Sequence, residues 1–235
     1  MEPEPMNLKR TAILALAALF SLAASPPKSA PARGDWNATI VTTADGTHII
    51  GNPQAALKLT EYVSYTCPHC AHFDVEGEGA MRLAWVAPGK LRIEVRHIMR
   101  DPVDATVAQL TNCGPAGKFF MNHAAFMRSQ TKWLSSMNTA SDAQRARWVN
   151  GDLPSRRRAI ATDFHLYQVM EQRGYSRPML DRCLADETLA KRLALQTADA
   201  ERMGINSTPS FAINDVVLAG THDWRMLEPQ LRARM

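Results

Sequence analysis

The chain has 235 residues, 46% of them apolar, with 27 basic and 23 acidic side chains that leave a formal charge of +4. That apolar share supports a buried core and excludes a disordered polymer, and roughly 200 residues behind a leader fit one domain with an insertion, or two. The basic balance does not point to nucleic acid, because Arg145, Arg147 and Arg156-Arg157-Arg158 stand in Ala-rich helical surroundings and read as a solvated face.

At the N-terminus, Lys9 and Arg10 precede the apolar run Ile13 to Phe20, then Ser21-Leu22-Ala23-Ala24 and Ser25-Pro26-Pro27. A basic lead, a short apolar stretch and small residues before prolines predict a secretory signal peptide over 1–24, with Ala30-Pro31-Ala32 as a second cleavage site. The stretch is too short to span a bilayer comfortably. Its removal takes Glu2, Glu4, Lys9 and Arg10 together, so the charge is unchanged. Residues 25–35, rich in Ser, Pro, Ala and Lys, read as a flexible linker. This leader implies export to the periplasm.

Beyond the linker, 36–41 reads as a short strand, 49–53 as a turn, and 57–64 as a nearly continuous buried strand that contains Glu61. Directly after it comes Cys67-Pro68-His69-Cys70. Two thiols at this spacing, where a strand pattern passes into a helical one, can close and reopen a disulfide. Cys67 falls at or near a helix N-terminus, where unpaired N–H groups and the helix dipole favour its thiolate. Cys70, one turn further in and less exposed, suits a resolving role. Pro68 costs little at an early helical position, and His69 beside the thiolate further favours the reduced form, which makes the disulfide a better oxidant. A zinc site built on Cys67, Cys70 and His69 or His72 is the competing reading. It lacks a second Cys-x-x-Cys or close His pair to complete the ligands, so no metal or cofactor is expected.

Residues 91–97 alternate with period two and read as the next strand, which completes a β-α-β unit. From 101 to 203 the pattern is wholly helical, with segments 104–113, 117–130, 141–149, 155–173, 177–185 and 187–203. A connection of that length is no plain crossover, so it reads as an inserted helical subdomain. Sheet pattern returns as a hairpin, 209–213 and 216–220, and a helix from Trp224 closes the chain. Trp133, Trp148, Met121, Met127 and Phe126 read as core, and His97, His123 and His165 as structural histidines.

The order strand, Cys-Pro-His-Cys, helix, strand, helical insertion, Thr208-Pro209, hairpin, helix resembles the DsbA-like thiol oxidases of the thioredoxin superfamily over 36–235. The resemblance implies an α/β thioredoxin-like fold, with the thioredoxin-like domain at 36–100 and 204–235 and the helical insertion at 101–203. It implies that Pro209 is cis beside the dithiol, that the Thr208 backbone pairs with substrate, and that Glu61 relays a proton. Glu61 read without the resemblance is a carboxylate satisfied by backbone or Lys58. The resemblance also implies a second, structural disulfide in the insertion, and of the three pairings open to four cysteines it favours 67 with 70 and 113 with 183.

The expected function is then a monomeric periplasmic thiol-disulfide oxidoreductase that donates a disulfide to reduced exported proteins, with a quinone-linked membrane oxidase of the DsbB type as its reoxidant. Thr before the proline resembles the isomerase-type relatives more than the best-known oxidase, so an isomerase or reductase of the DsbC or DsbG type is the first alternative. Those relatives need a dimerisation module, for which the short segment before the fold leaves no room. A non-enzymatic metal chaperone is the second alternative.

Overall fold

The computed structural model describes residues 1–2 and 36–235; the expected leader (1–24) and linker (25–35) lie outside the described residues. Six strands form one mixed sheet: β1 (Ile40–Thr42), β2 (His48–Gly51), β3 (Leu57–Val63), β4 (Leu91–His97), β5 (Ser210–Ile213) and β6 (Val216–Val217), in the order β1-β2-β4-β3-β5-β6. β3 runs parallel to β4, with Leu57 opposite Leu91 and Val63 opposite His97, and antiparallel to β5 on its other side. β3 is therefore central, and its side chains are buried on both faces apart from Lys58, the pattern of a strand covered by helices on both sides.

The segment read as a turn at 49–53 begins as strand β2, and the strand read at 36–41 is a 3₁₀ turn, Trp36–Ala38, followed by β1. Ile49 and Ile50 alone, ahead of Gly51-Asn52-Pro53, carry too little alternation to register as a strand, and pairing with β4 decides their conformation.

The parallel crossover from β3 to β4 is one helical run. It starts as α1 (Pro68–Phe73), widens to π turns at Asp74–Glu78, tightens at α2 (Gly79–Met81) and widens again at Arg82–Val86. Gly77 sits where a β-carbon would come within 2.8 Å of the Trp224 ring. That ring belongs to α12 (Trp224–Arg232), and Phe73 lies between it, edge-on at 6.4 Å, and the tilted Phe211 ring of β5 at 4.7 Å.

Between β4 and β5 lie nine helices: α3 (Pro102–Thr111), α4 (Phe119–Arg128), α5 (Gln130–Leu134), α6 (Ser136–Thr139), α7 (Asp142–Val149), α8 (Leu153–Asp163), α9 (Leu166–Glu171), α10 (Arg177–Leu184) and α11 (Glu187–Arg202). Their starts follow local chemistry. The side chains of Asp101, Ser141, Asp152 and Asp186 each accept an N–H of the first turn, and Ser141 with Gln144 forms a capping box. The helix expected over 155–173 is two, broken where His165 takes φ 57° so that Phe164 and Leu166 both turn inward, fully buried. The helix expected over 117–130 likewise ends at Arg128, and a new one starts at Gln130. One apolar core runs from the sheet into these helices. Among the described residues no helix is long and apolar enough to cross a membrane.

Candidate active site

Cys67 ends the turn after β3 in an extended conformation (φ −91°, ψ 115°) and caps α1, whose first residue is Pro68. Cys67 and Cys70 are both unbonded, and each is only 2% exposed. The expectation of a more exposed Cys67 is not met: packing buries both sulfurs equally.

The two thiols differ sharply. Cys67 is pushed down to about 5, first because the Cys70 thiol donates to its sulfur; the Thr208 hydroxyl and the N–H groups of Cys70 and His69 add to this against the opposing effect of burial. Cys70 is pushed well above its ordinary value by burial and by the same hydrogen bond seen from the donor side. His69 thus acts through its backbone; its side chain is exposed.

Thr208 meets the dithiol from β5's side of the sheet. The Thr208–Pro209 peptide is cis, and the Cys67 thiol donates to the Thr208 carbonyl at 3.2 Å. The Thr208 hydroxyl is buried without a regular hydrogen bond, so it is free to turn to a sulfur that ionises. Among the described residues no backbone group pairs with the N–H or the carbonyl of Thr208. His222 Nδ1 lies 2.9 Å from the Pro209 carbonyl.

Behind α1, Glu61 is 2% exposed and its Oε1 has no partner. Burial raises its pKa well above the usual carboxylate range, helped by Glu78 and Asp74 and opposed by Arg82. The alternative partner Lys58 is engaged elsewhere, at 2.5 Å from Asp215 and 3.5 Å from Glu94. Glu78 pairs with Arg82 at 2.8 Å, and Asp74 with Arg128 at 3.0 Å.

Several of these groups were not singled out in the sequence. Gln130, 2% exposed, donates its amide to the carbonyls of Tyr65 (2.7 Å) and Cys67 (2.9 Å). Asp104 accepts the Tyr65 N–H at 2.8 Å and the Ser64 hydroxyl at 2.5 Å, and burial raises its carboxyl to about 7. Tyr65 Oη lies 2.9 Å from His123 Nδ1, and burial pushes His123 down to about 3. A polar residue in a helical pattern reads as solvent-facing, and only contacts across tens of residues reveal otherwise.

A disulfide joins Cys113 and Cys183, with Cα atoms 5.8 Å apart, and ties the end of α3 to α10. Among the described residues no group of three or more His, Cys, Asp or Glu side chains is placed to hold a metal ion.

The sequence model of the thioredoxin family matches residues 43–233. The crystal structure of a protein-disulfide isomerase from Novosphingobium aromaticivorans is 53% identical with a TM-score of 0.79, covering 82% of this chain and 98% of that one. Wolbachia pipientis α-DsbA1, 17% identical with a TM-score of 0.64 over 82% of this chain and 92% of its own, shares the fold. A Rickettsia typhi protein provisionally named a protein-disulfide oxidoreductase is 25% identical over 170 residues, 72% of this chain and 54% of that one. A Rickettsia bellii protein of the same provisional name is 22% identical over 72% of this chain and 57% of its own. The chain thus spans little more than half the length of these curated relatives.

Proposed function

The chain belongs to the thioredoxin family, and from that premise we propose that it is a periplasmic thiol-disulfide oxidoreductase that donates the Cys67–Cys70 disulfide to reduced exported proteins. The split between the two thiols carries the reading: one is held as a thiolate at neutral pH, and its neighbour one turn away is held protonated.

In the disulfide state a substrate thiolate attacks Cys67 Sγ. The Cys67–Cys70 bond breaks, and Cys70 departs and takes a proton because burial disfavours its anion. Glu61, whose pKa burial raises well above the usual carboxylate range, is the proposed donor, and it takes back a proton released by the substrate thiols. A second substrate thiolate then attacks the substrate sulfur of the mixed disulfide and expels Cys67 as a stable thiolate. The substrate loses two electrons and two protons and gains a disulfide. The pair Cys67/Cys70 gains the electrons; one proton stays on Cys70, and the other goes to solvent above about pH 5. Reoxidation passes two electrons to a quinone-linked membrane oxidase of the DsbB type. The Thr208 N–H has no backbone partner and its carbonyl meets only the Cys67 thiol, which supports a role in aligning an extended substrate strand, as in strand addition to a sheet edge. The protein is proposed to act as a monomer.

A second reading, disulfide isomerase, is favoured by the likeness to the Novosphingobium protein and by threonine before the cis proline. Turnover separates the two: an oxidase forms the disulfide of a reduced dithiol peptide, whereas an isomerase reshuffles existing disulfides without net oxidation. Reshuffling of scrambled ribonuclease with no oxidation of a dithiol peptide overturns the oxidase.

A further inference from the structure

A cavity of about 330 Å³ opens between the loop after β4 and helix α8. Its lining pairs apolar Met99, Leu153 and Ile160 with three arginines, Arg100, Arg156 and Arg157. Each guanidinium is pinned on one edge. Arg156 Nε donates to the Trp148 carbonyl at 2.9 Å, Arg157 Nη1 to the Leu184 carbonyl at 3.1 Å and to Glu187 at 2.7 Å, and Arg100 Nε to Ser64 Oγ at 3.1 Å. Both Nη groups of Arg156 lack a protein partner among the described residues. A guanidinium fixed in this way presents its remaining donors with little further loss of entropy.

Four carboxylates stand near the three cations, Asp101 in the lining, Asp104, which accepts the Arg100 N–H at 3.1 Å, Asp152 at the start of α8, and Glu187, and of these only Glu187 pairs with a lining guanidinium. Asp101 is moreover spent on its own neighbours: Oδ1 accepts the Asp104 N–H, and Oδ2 accepts the Thr66 hydroxyl at 2.8 Å. The volume lies at the small end of ligand cavities. It admits one or two side chains of an extended chain rather than a folded element, and its apolar lining is ill suited to a phosphate tract.

Its place in the fold ties it to the reactive sulfur. Thr66, bonded to Asp101 of the lining, immediately precedes Cys67, so one hydrogen bond and one peptide link connect the lining to the residue that carries the sulfur. It lies at the β4 side of β3, whereas Thr208–Pro209 lies at the β5 side. We infer that this cavity is a second contact site for the substrate polypeptide, receiving an aliphatic residue next to an aspartate or glutamate near the reacting cysteine. The inference rests on the reading of the chain as a thiol-disulfide oxidoreductase and adds a preference to it.

The test uses the oxidised protein and two reduced dithiol peptides that differ only in carrying Leu-Glu or Leu-Lys beside one cysteine. The acidic peptide is expected to react with a kcat/KM about fivefold higher, the scale of one partly exposed charge pair. Arg156→Glu is expected to abolish or reverse the ratio, and Leu153→Ser to lower both rates. Lys191→Glu makes the same charge change on the exposed face of α11 and is expected to leave the ratio alone. Thiol-free versions of the peptides, with serine for cysteine, are titrated while the methyl signals of Leu153 and Ile160 are followed by NMR. Equal rates for the two peptides, or unmoved methyl signals, overturn the inference. Oxidation of dithiothreitol is measured alongside: its failure overturns the oxidoreductase reading, and the NMR titration still decides the binding.

Discussion

The side-chain amide of Gln130 donates to the carbonyl of Cys67 at 2.9 Å, and the same nitrogen holds the carbonyl of Tyr65 at 2.7 Å. A residue from the first turn of α5 thereby fixes the turn that carries the nucleophile, across 63 positions of sequence. Gln130→Ala strips the buried Tyr65 carbonyl of its donor and leaves the Cys67 carbonyl to the N–H groups of Cys70 and Ala71. The expected cost is about 1–3 kcal/mol in urea unfolding, together with a rise in the Cys67 pKa as the turn loosens. Lost stability without a change in thiol titration would reduce Gln130 to a packing role.

Cys67 is expected to titrate near pH 5 in the reduced protein, read by thiolate absorbance in the ultraviolet, with Cys70 silent through neutrality. Because the folded pKa lies below the unfolded one, this stabilisation of the reduced form is complete above the unfolded thiol pKa and is lost as pH falls through about 5. The reduced form should gain stability over the oxidised form as pH rises between those limits. A gap that stays constant across the range contradicts the assignment.

Thr208→Val keeps the volume and removes the one hydroxyl poised toward both sulfurs. The Cys67 pKa is expected to rise by about one unit, and the glutathione equilibrium to shift toward a weaker oxidant. Thr208→Ser should restore both.

Glu61 carries a buried carboxyl with an unpartnered oxygen and a raised pKa. A raised folded value means that its contribution is intact below the unfolded pKa and is lost as pH rises through the folded one. Glu61→Gln is expected to stabilise the protein by about 1–3 kcal/mol at alkaline pH and less at pH 4, and to slow release from the mixed disulfide. Equal stabilisation at both pH values would mean that its pKa is not raised by folding, and destabilisation at alkaline pH that Glu61 is ionised and paired.

The Cys113–Cys183 bond closes a loop with a sequence separation of 70. Its removal in Cys113→Ala/Cys183→Ala is expected to cost about 2–4 kcal/mol, seen as a lower melting temperature, with the Cys67 titration unchanged.

The parts legible in the sequence were those written locally. Cys67-Pro68-His69-Cys70 announces its own turn, β3 carries a nearly continuous buried run and β4 a period-two alternation, and Asp101, Ser141 and Asp186 mark helix starts with side chains that cap them. What stayed hidden depends on distant partners. Gln130, Asp104 and Asp74 are polar letters in helical surroundings, and their burial follows from Cys67, Ser64 and Arg128 reaching them through the fold. The break at His165 has no glycine or proline to signal it, since it is driven by the burial of Phe164 and Leu166 on either side.

The contact between Gly77 and the Trp224 ring has a bearing on biogenesis. The helix that begins at Cys67 is seated by rings from the far carboxyl end, and the hydroxyl and carbonyl facing its sulfur arrive 141 positions later. A nascent polypeptide that has emerged only through Cys70 therefore bears two commonplace thiols. Reactivity is acquired when the tail docks, which spares the unfinished chain from cross-linking to its neighbours.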